Sequence, residues 1–400
     1  MLITPQAADE AIRGHMPQLS SELRPLSQCV GRVLRQDVHA ERDNPPFDRV
    51  CMDGVAIKSA AFQAGVRRFT VQATQGAGAA PLRLKDGDYA IEVMTGAKIP
   101  QETDVVIPLE EYSLDGGIVT LGENTKVSPN RNIQRQGEDG PLGSIMLRSG
   151  TLLGPPEIAV AASAGFARLQ VSAEPAFMIV ATGDELIEPG EPIAEHQIRQ
   201  SNAYAMVAAL RSRGFQRIGH EHIADDESRL IERLGLHLAT HDVLILSGGV
   251  SMGRFDLVPG ALKHLGVREV FHKVAQRPGK PMWFGVGQNG QTVFGLPGNP
   301  VSALVCLIRF VIPAIVAAAG AGKVSQERLA LSAPISVDLP LTLYMPVSAV
   351  ADQWGRIWAK PRPTNTSGDY ISLVGTDGFI ELPPGPNTYP KEFVANLYRW

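Results

Sequence analysis

Small residues cluster at four places between residues 182 and 300: "TGDE" (182–185), "ADD" (224–226), "SGGVSMGRFD" (247–256) and "GLPGNP" (295–300). A glycine-rich turn that feeds a helix gathers backbone N–H donors and the positive end of the helix dipole at one point, which suits a phosphate. Asp184, Glu185, Asp225, Asp226 and Asp256 stand in the same stretches and would repel a bare phosphate. The combination therefore points to phosphate bridged by Mg2+. Tight turns carrying helix caps remain the alternative reading of the same residues. A second cluster, "HKVAQRPGKPMWFG", sets Lys273, Arg277 and Lys280 within eight residues. Pro278 and Pro281 stiffen that turn and fix where the cations point, as an oxyanion site requires; a solvated basic loop is the alternative. A third group lies earlier, in "PPFDRVCMDGVAI" (45–57), "VMTGAKIP" (93–100) and "NIQRQGEDG" (132–140). It places Asp53, Thr95, Arg135, Glu138 and Asp139 beside glycine, and taken singly these motifs are also what polar turns of a β domain look like. His220 with His222 and His237 with His241 find no third ligand at metal-binding spacing, so they read as surface or satisfied histidines. There is no Walker sequence, GxSxG or GxGxxG.

These residues need elements to position them. "TPQAADEAIRGHM" (4–16) predicts a short helix with Thr4 as N-cap and Pro5 in the first helical position. From about residue 21 to 150 helical periodicity gives way to short β-like runs at 69–71, 91–93, 105–107 and 117–121, separated by Gly- and Pro-rich turns. Near residue 175 strands begin to alternate with helices: "AFMIVATGDEL", "SNAYAMVAALRSRGF", "QRIGHEHIADD", "ESRLIERLGLHLAT", "HDVLILSGGVS", "DLVPGALKHLG", then "QTVFGLPGNPVSALVCLI". That alternation predicts βαβ units and a mainly parallel sheet buried on both faces. The four acid- and glycine-bearing stretches then follow strands, where open α/β sheets bind ligands. Beyond residue 325 short strands return and predict a small C-terminal β domain.

Length and composition bound the rest. Four hundred residues imply two to four domains. A formal net charge of −4 gives no footprint for nucleic acid, so an anionic ligand must be held by local donors. Cys29, Cys51 and Cys306 are scattered and form no CxxC pair, which excludes a disulfide framework and fits a reducing compartment. "MLITPQAADEAI" lacks the basic and apolar regions of a signal peptide. The apolar window 301–322 has Arg309 and Pro313 near its middle and no second candidate beside it, so a buried helix is expected rather than a membrane span. The expected location is cytoplasmic.

Together the motifs resemble one family. "PFDRVCMDGVA", "MTGAKIP", "NIQRQGED", "ATGDEL", "SGGVSMGRFD", "RPGKP" and "GLPGNPVS" occur in the order found in the molybdopterin molybdenumtransferases. These are the MoeA-type enzymes of molybdenum cofactor biosynthesis, related to the gephyrin E domain. The resemblance implies a multidomain α/β-plus-β protein acting as an elongated homodimer. Its segments would be a mainly parallel molybdopterin-binding α/β domain (1–20 and 174–325), an elongated connecting and dimerisation region (21–44 and 142–173), an inserted β domain (45–141) and a C-terminal β barrel (326–400). It also implies the reaction of adenylylated molybdopterin with molybdate, using Mg2+, to give molybdenum cofactor and AMP. By position, the family's catalytic residues would be Asp53, Thr95, Asp139, Glu185, Asp256 and Lys273. Substrate contacts would come from Asp225, Ser247, Gly248, Gly249, Ser251, Arg277, Lys280, Pro297 and Pro300, and metal contacts from Glu185, Asp225 and Asp256. Asp53, Thr95 and Asp139 would close the site from a β domain, that of the partner subunit. A transient contact with a molybdopterin adenylyltransferase is a further expectation, and no nucleic-acid or membrane partner is expected. The chain departs from the family's usual residues at Arg49-Val50-Cys51, Val55, Ala181 and Arg277, which leaves molybdate and tungstate both open as the oxyanion. Two other functions fit part of the pattern: molybdopterin adenylylation, and a catalytically weak gephyrin-like scaffold.

Overall fold

The computed structural model describes residues 2–250, 257–322, 325–337, 340–385 and 387–400. The chain forms two compact units, the first made of Met1–Gln36, Ser149–Pro155 and Arg168–Trp400, the second of Asp37–Arg148 and Pro156–Ala167.

The first unit is organised by a six-stranded sheet. Its strands are β1 (Phe177–Thr182), β2 (Ile218–Ile223), β3 (Val243–Ser247), β4 (Arg268–His272), β5 (Trp283–Val286) and β6 (Thr292–Leu296), in the order β2-β1-β3-β6-β5-β4. Neighbours among β2, β1, β3 and β6 are parallel, as the alternation of strand and helix predicts, whereas β5 and β4 run antiparallel. The antiparallel pair was not announced by the sequence, because the prolines and cations between its strands read as a loop. Every residue of β1 and β3 is buried, since helices cover both faces of the parallel portion.

Those helices are α1 (Pro5–His15), α2 (Asn202–Arg211), α3 (Glu227–Thr240), α4 (Val258–His264) and α5 (Pro300–Ala318). Thr4 caps α1 as expected, its Oγ1 accepting the Ala7 N–H at 3.1 Å, with Pro5 next in line. One core joins Ile12, Ile179, Met206, Ile245, Phe294 and Ile308, and a second, opposite, joins Val180, Leu230, Leu234, Leu244 and Leu262. The apolar window is α5, a largely buried core helix with a π-helical turn at Leu307–Val311. Arg309 in that turn is 7% exposed and is held by Asp9 at 2.7 Å and Glu381 at 3.0 Å. Burial alone would disfavour the charged guanidinium, but the surrounding acidic and phenolic oxygens, including those of Glu381 and Asp9, keep it protonated.

The remainder of the first unit ends in a closed five-stranded barrel. β7 (Arg328–Leu331) pairs with β9 (Ile357–Pro361) and β11 (Val394–Arg399); β8 (Thr342–Ala351) pairs with β9 and β10 (Gly378–Leu382); β10 pairs with β11, closing the ring. Leu331, Val347, Ala359, Ile380 and Leu397 fill its interior. Closure removes the sheet edges that short strands would otherwise expose.

The second unit carries a six-stranded sheet whose order is Val105–Pro108, Gly54–Ile57, Tyr89–Val93, Arg68–Gln75, Ile118–Leu121 and Tyr112–Asp115. The β-like runs read from the sequence all fall in it. Val55, Ile57, Phe69 and Val119 pack on one face, and Val50, Ile91, Val93 and Val106 on the other.

Candidate functional site

The four parallel strands end together, β1 at Thr182, β2 at Ile223, β3 at Ser247 and β6 at Leu296. The loops leaving those ends line a cleft of ≈ 820 Å³, at the carboxyl edge where open α/β sheets bind ligands. Glu185, Asp225, Ser247, Gly248, Gly249, Pro297 and Pro300 all line it. Gly248 (φ +94°) and Gly249 (φ +63°) adopt left-handed backbone, and the space is closed as well. A Cβ on Gly248 would stand 2.6 Å from the Thr182 carbonyl oxygen, and one on Gly249 would stand 2.8 Å from Thr182 Oγ1. Only glycine satisfies both demands.

Hydrogen bonds lock the surrounding loops. Asn202 Nδ2 donates to Ser247 Oγ at 2.9 Å and to the Gly298 carbonyl at 2.7 Å, tying the start of α2 to two strand-end loops. Asp184 Oδ1 accepts the Asp225 N–H at 3.0 Å, and His222 Nε2 lies 2.8 Å from the Gly183 carbonyl. Asp226 has a different occupation from its neighbour: its Oδ1 accepts the Arg229 N–H at 2.7 Å and caps α3. Ser251 and Asp256 lie outside the described residues. Glu185 and Asp225 offer the oxygen donors that Mg2+ prefers, and Mg2+ commonly takes one or two carboxylates together with substrate phosphates. Among the described residues no group of three or more His, Cys, Asp or Glu could form a protein-only metal cage.

Thr182, from the "TGDE" stretch, lines the cleft too, as do Gln200, Asn202 and Tyr370, which were not singled out from the sequence. Thr182 Oγ1 and both polar atoms of the Gln200 carboxamide are buried without a hydrogen-bond partner. Native structures hold few such atoms. The polar run "RQSN" (199–202) ahead of α2 was the available signal, but it reads as an ordinary helix start.

The basic turn joins β4 to β5. Lys273, where the chain leaves β4, has φ +78°, and its N–H donates to the Met282 carbonyl at 2.8 Å. Gln276 is fully buried beneath the turn and donates from Nε2 to the Gly279 carbonyl at 3.2 Å. Arg277 and Lys280 line a second cleft, of ≈ 470 Å³, with Ser302, Thr364, Thr366 and Ser367. Its described lining contains cations and hydroxyls but no carboxylate, a composition that fits an oxyanion. Pro281, Pro297 and Asn299 border both clefts.

In the second unit the two-residue strand Arg49–Val50 pairs with Ile133–Gln134 and bridges to Lys98, so the three early motifs meet around it. Asp53 Oδ1 accepts both the hydroxyl and the N–H of Thr95, each at 2.7 Å. The hydroxyl first, and then the amide, hold the exposed Asp53 carboxyl below the usual carboxylate range. Gly54 follows because its strand lies tight against the next: a Cβ there would be 2.0 Å from the Ile107 carbonyl oxygen. Asp139 accepts Gln134 Nε2 on both oxygens, at 3.0 and 2.9 Å, and Gln134 Oε1 in turn accepts from Arg49. Arg135 pairs with Asp48 at 2.7 Å, and Glu138 accepts the Arg135 N–H at 3.0 Å.

Three family models match the chain in order: "MoeA N-terminal region (domain I and II)" over residues 3–165, "Probable molybdopterin binding domain" over 178–317 and "MoeA C-terminal region (domain IV)" over 328–391. A molybdopterin molybdenumtransferase of Synechocystis sp. is 36% identical over 400 residues, covering 100% of each chain. The chain belongs to the molybdopterin molybdenumtransferase family. A Bacillus subtilis member is 31% identical, covering 96% of this chain and 92% of its own. The crystal structure of a molybdopterin biosynthesis moeA protein from Pyrococcus horikoshii OT3 is 28% identical with a TM-score of 0.82, covering 100% of both chains. Family membership makes the chain an enzyme of molybdenum cofactor biosynthesis.

Proposed function

We propose that the chain inserts molybdate into adenylylated molybdopterin and releases AMP, with Mg2+. The observation that carries this reading is the pair of adjoining clefts in the first unit. One offers glycine amides and carboxylates, the other cations and hydroxyls, and Pro281, Pro297 and Asn299 border both. A phosphoanhydride suits the first and an oxyanion suits the second, so both reactants would be held side by side. Mg2+, held by Glu185 and Asp225, would neutralise charge on the phosphates. Gly248 donates its own N–H to the Leu296 carbonyl at 3.3 Å and, with Gly249, lets the loop backbone come close to the phosphates, while Ser247 and Asn202 keep that loop in register. Arg277 and Lys280 balance the oxyanion's charge. Lys273, Asp256 and Ser251 are retained as contacts of the same reaction, and Asp53, Thr95 and Asp139 as its remaining catalytic groups, with Asp53 kept ionised by Thr95.

The same reading includes a homodimer, a cytoplasmic location, a transient contact with the adenylyltransferase that supplies the substrate, and the four-segment domain division given above. Adenylylation itself is disfavoured because the family match runs through both β regions as well as the α/β domain. Purified protein incubated with adenylylated molybdopterin, molybdate and Mg2+ is expected to release AMP only when molybdate is present. AMP release indifferent to molybdate, or accumulation of adenylylated product from molybdopterin and ATP, would overturn the assignment.

A further inference from the structure

Gln200 is 2% exposed and lines the strand-end cleft, yet neither its Nε2 nor its Oε1 has a hydrogen-bond partner. Its backbone is fixed, the N–H donating to the Ile187 carbonyl at 2.9 Å. An unpaired buried carboxamide costs stability, and a leucine of similar size would avoid that cost. The fold alone gives no reason for an amide here.

Immediately after it, Ser201 and Asn202 border both the cleft and an annex of ≈ 330 Å³. Met206 of α2, Leu304 of α5, Leu373, Val374 and Trp400 form the annex walls. Pro300 and Tyr370 border both spaces too, so the annex continues the cleft. Apolar walls cannot hold phosphates or an oxyanion. They suit a flat ring, whose faces are apolar and stack on aromatic side chains. The edge of such a ring, in a purine or a pterin, sets an N–H donor beside an acceptor, and a glutamine carboxamide presents the complementary pair.

We propose that Gln200 and this annex form the subsite for a flat nitrogen heterocycle of the substrate, the carboxamide reading its polar edge and the walls holding its faces. The inference rests on the function proposed above. Adenylylated molybdopterin carries two such rings, the purine of its AMP half and the pterin, so the probes must separate them.

Calorimetric titration with AMP, and separately with 6-hydroxymethylpterin, makes that separation. The wild type is expected to bind one of the two, which identifies the ring. Gln200→Leu is expected to weaken that probe by about tenfold while its Tm holds or rises, because an unpaired amide has been removed. A merely structural glutamine would instead lose Tm and binding together. Leu304→Trp fills the annex and should weaken the same probe by a similar factor. Val374→Trp, at a residue 83% exposed on the annex wall, does so without touching the core, should the first filling variant fail to fold. Wild-type protein that binds neither probe, or variants that bind as wild type does, overturn the subsite. If wild-type AMP release still requires molybdate in that case, only this inference falls; if it does not, the function falls first.

Discussion

In the first unit the candidate carboxylates and glycines stand where four parallel strands end, three of them fully buried, whereas in the second unit Asp53 and Asp139 stand on exposed turns around a strand of two residues. The two regions reach order by different means. At the strand ends, position is set by sterics: strands in fixed register deliver Ala181, Ser247 and Leu296 to one level, and the Gly248 backbone passes so close to Thr182 that no side chain fits. Polar atoms there, on Thr182 and Gln200, are left unpaired. In the second unit little is buried around the carboxylates, and position is set by hydrogen bonds, with Thr95 on Asp53 and Gln134 on Asp139. The first region should therefore fail when volume is added, and the second when a charge or hydroxyl is removed.

The largest effect is expected from Gly248→Val. A valine meets backbone 2.6 Å away in a left-handed conformation, so a loss of about 2–4 kcal/mol in stability should accompany loss of AMP release. Denaturant unfolding and the AMP assay, run on the same preparation, check both. A variant with near-wild-type stability and turnover would show that the close approach is dispensable. Asp53→Asn is next and is expected to do the opposite. Turnover should fall about a hundredfold, within the range of a lost acid–base group, while Tm stays within a degree or two of wild type. An equal loss of Tm would make Asp53 a structural turn residue, contrary to the comparison.

How much of this was legible in the sequence follows the same division. β1 and β3 announced themselves because both faces are covered, and "FMIVAT" and "VLILS" are accordingly apolar up to their last residue, a hydroxyl side chain at the site. The loops after them could be located once the strands were, so Glu185, Asp225, Ser247, Gly248 and Gly249 were found together. Gln200 escaped because its distinguishing property, burial without a partner, exists only after folding. β4 and β5 escaped because their antiparallel pairing is interrupted by a proline- and cation-rich turn, which in sequence resembles a loop. The early motifs resembled polar turns, and only the pairings of Arg49–Val50 with Ile133–Gln134 and with Lys98 bring them together. Long-range pairing of short strands leaves no periodic signal.

A smaller effect should separate the charge of Asp53 from the hydroxyl that tunes it. Its folded pKa is depressed, first by the Thr95 hydroxyl and then by the Thr95 amide. The carboxylate form thus persists below the ordinary value of about 3.9, and its contribution is lost as pH falls through the lowered value. Thr95→Val keeps the amide but removes the hydroxyl, so the Asp53 pKa should rise toward the ordinary range. A carboxyl titration followed by NMR reads that shift directly, and the acid limb of the AMP-release profile should move upward with it. Should the titration stay where it was, the hydroxyl is not what keeps Asp53 ionised.

The smallest effect tests the comparison inside a single loop. Asp225 and Asp226 are adjacent acids of the same chemistry at the end of β2, and only the family resemblance, not their residue type or spacing, ranks Asp225 above its neighbour. The structure does: Asp225 lines the cleft, and Asp226 spends its carboxylate on the Arg229 N–H at the start of α3. Asp226→Ala should therefore cost about 1 kcal/mol, the ordinary value of an N-cap, and leave the Mg2+ dependence of AMP release unchanged. Asp225→Ala should change the Mg2+ concentration needed for half-maximal rate without removing the cap. If the two substitutions exchange these effects, the cap and the cleft contact have been assigned to the wrong neighbours. If both shift the Mg2+ dependence, the first turn of α3 belongs to the site, and the separation between a residue that holds the fold and one that meets the substrate fails at this loop.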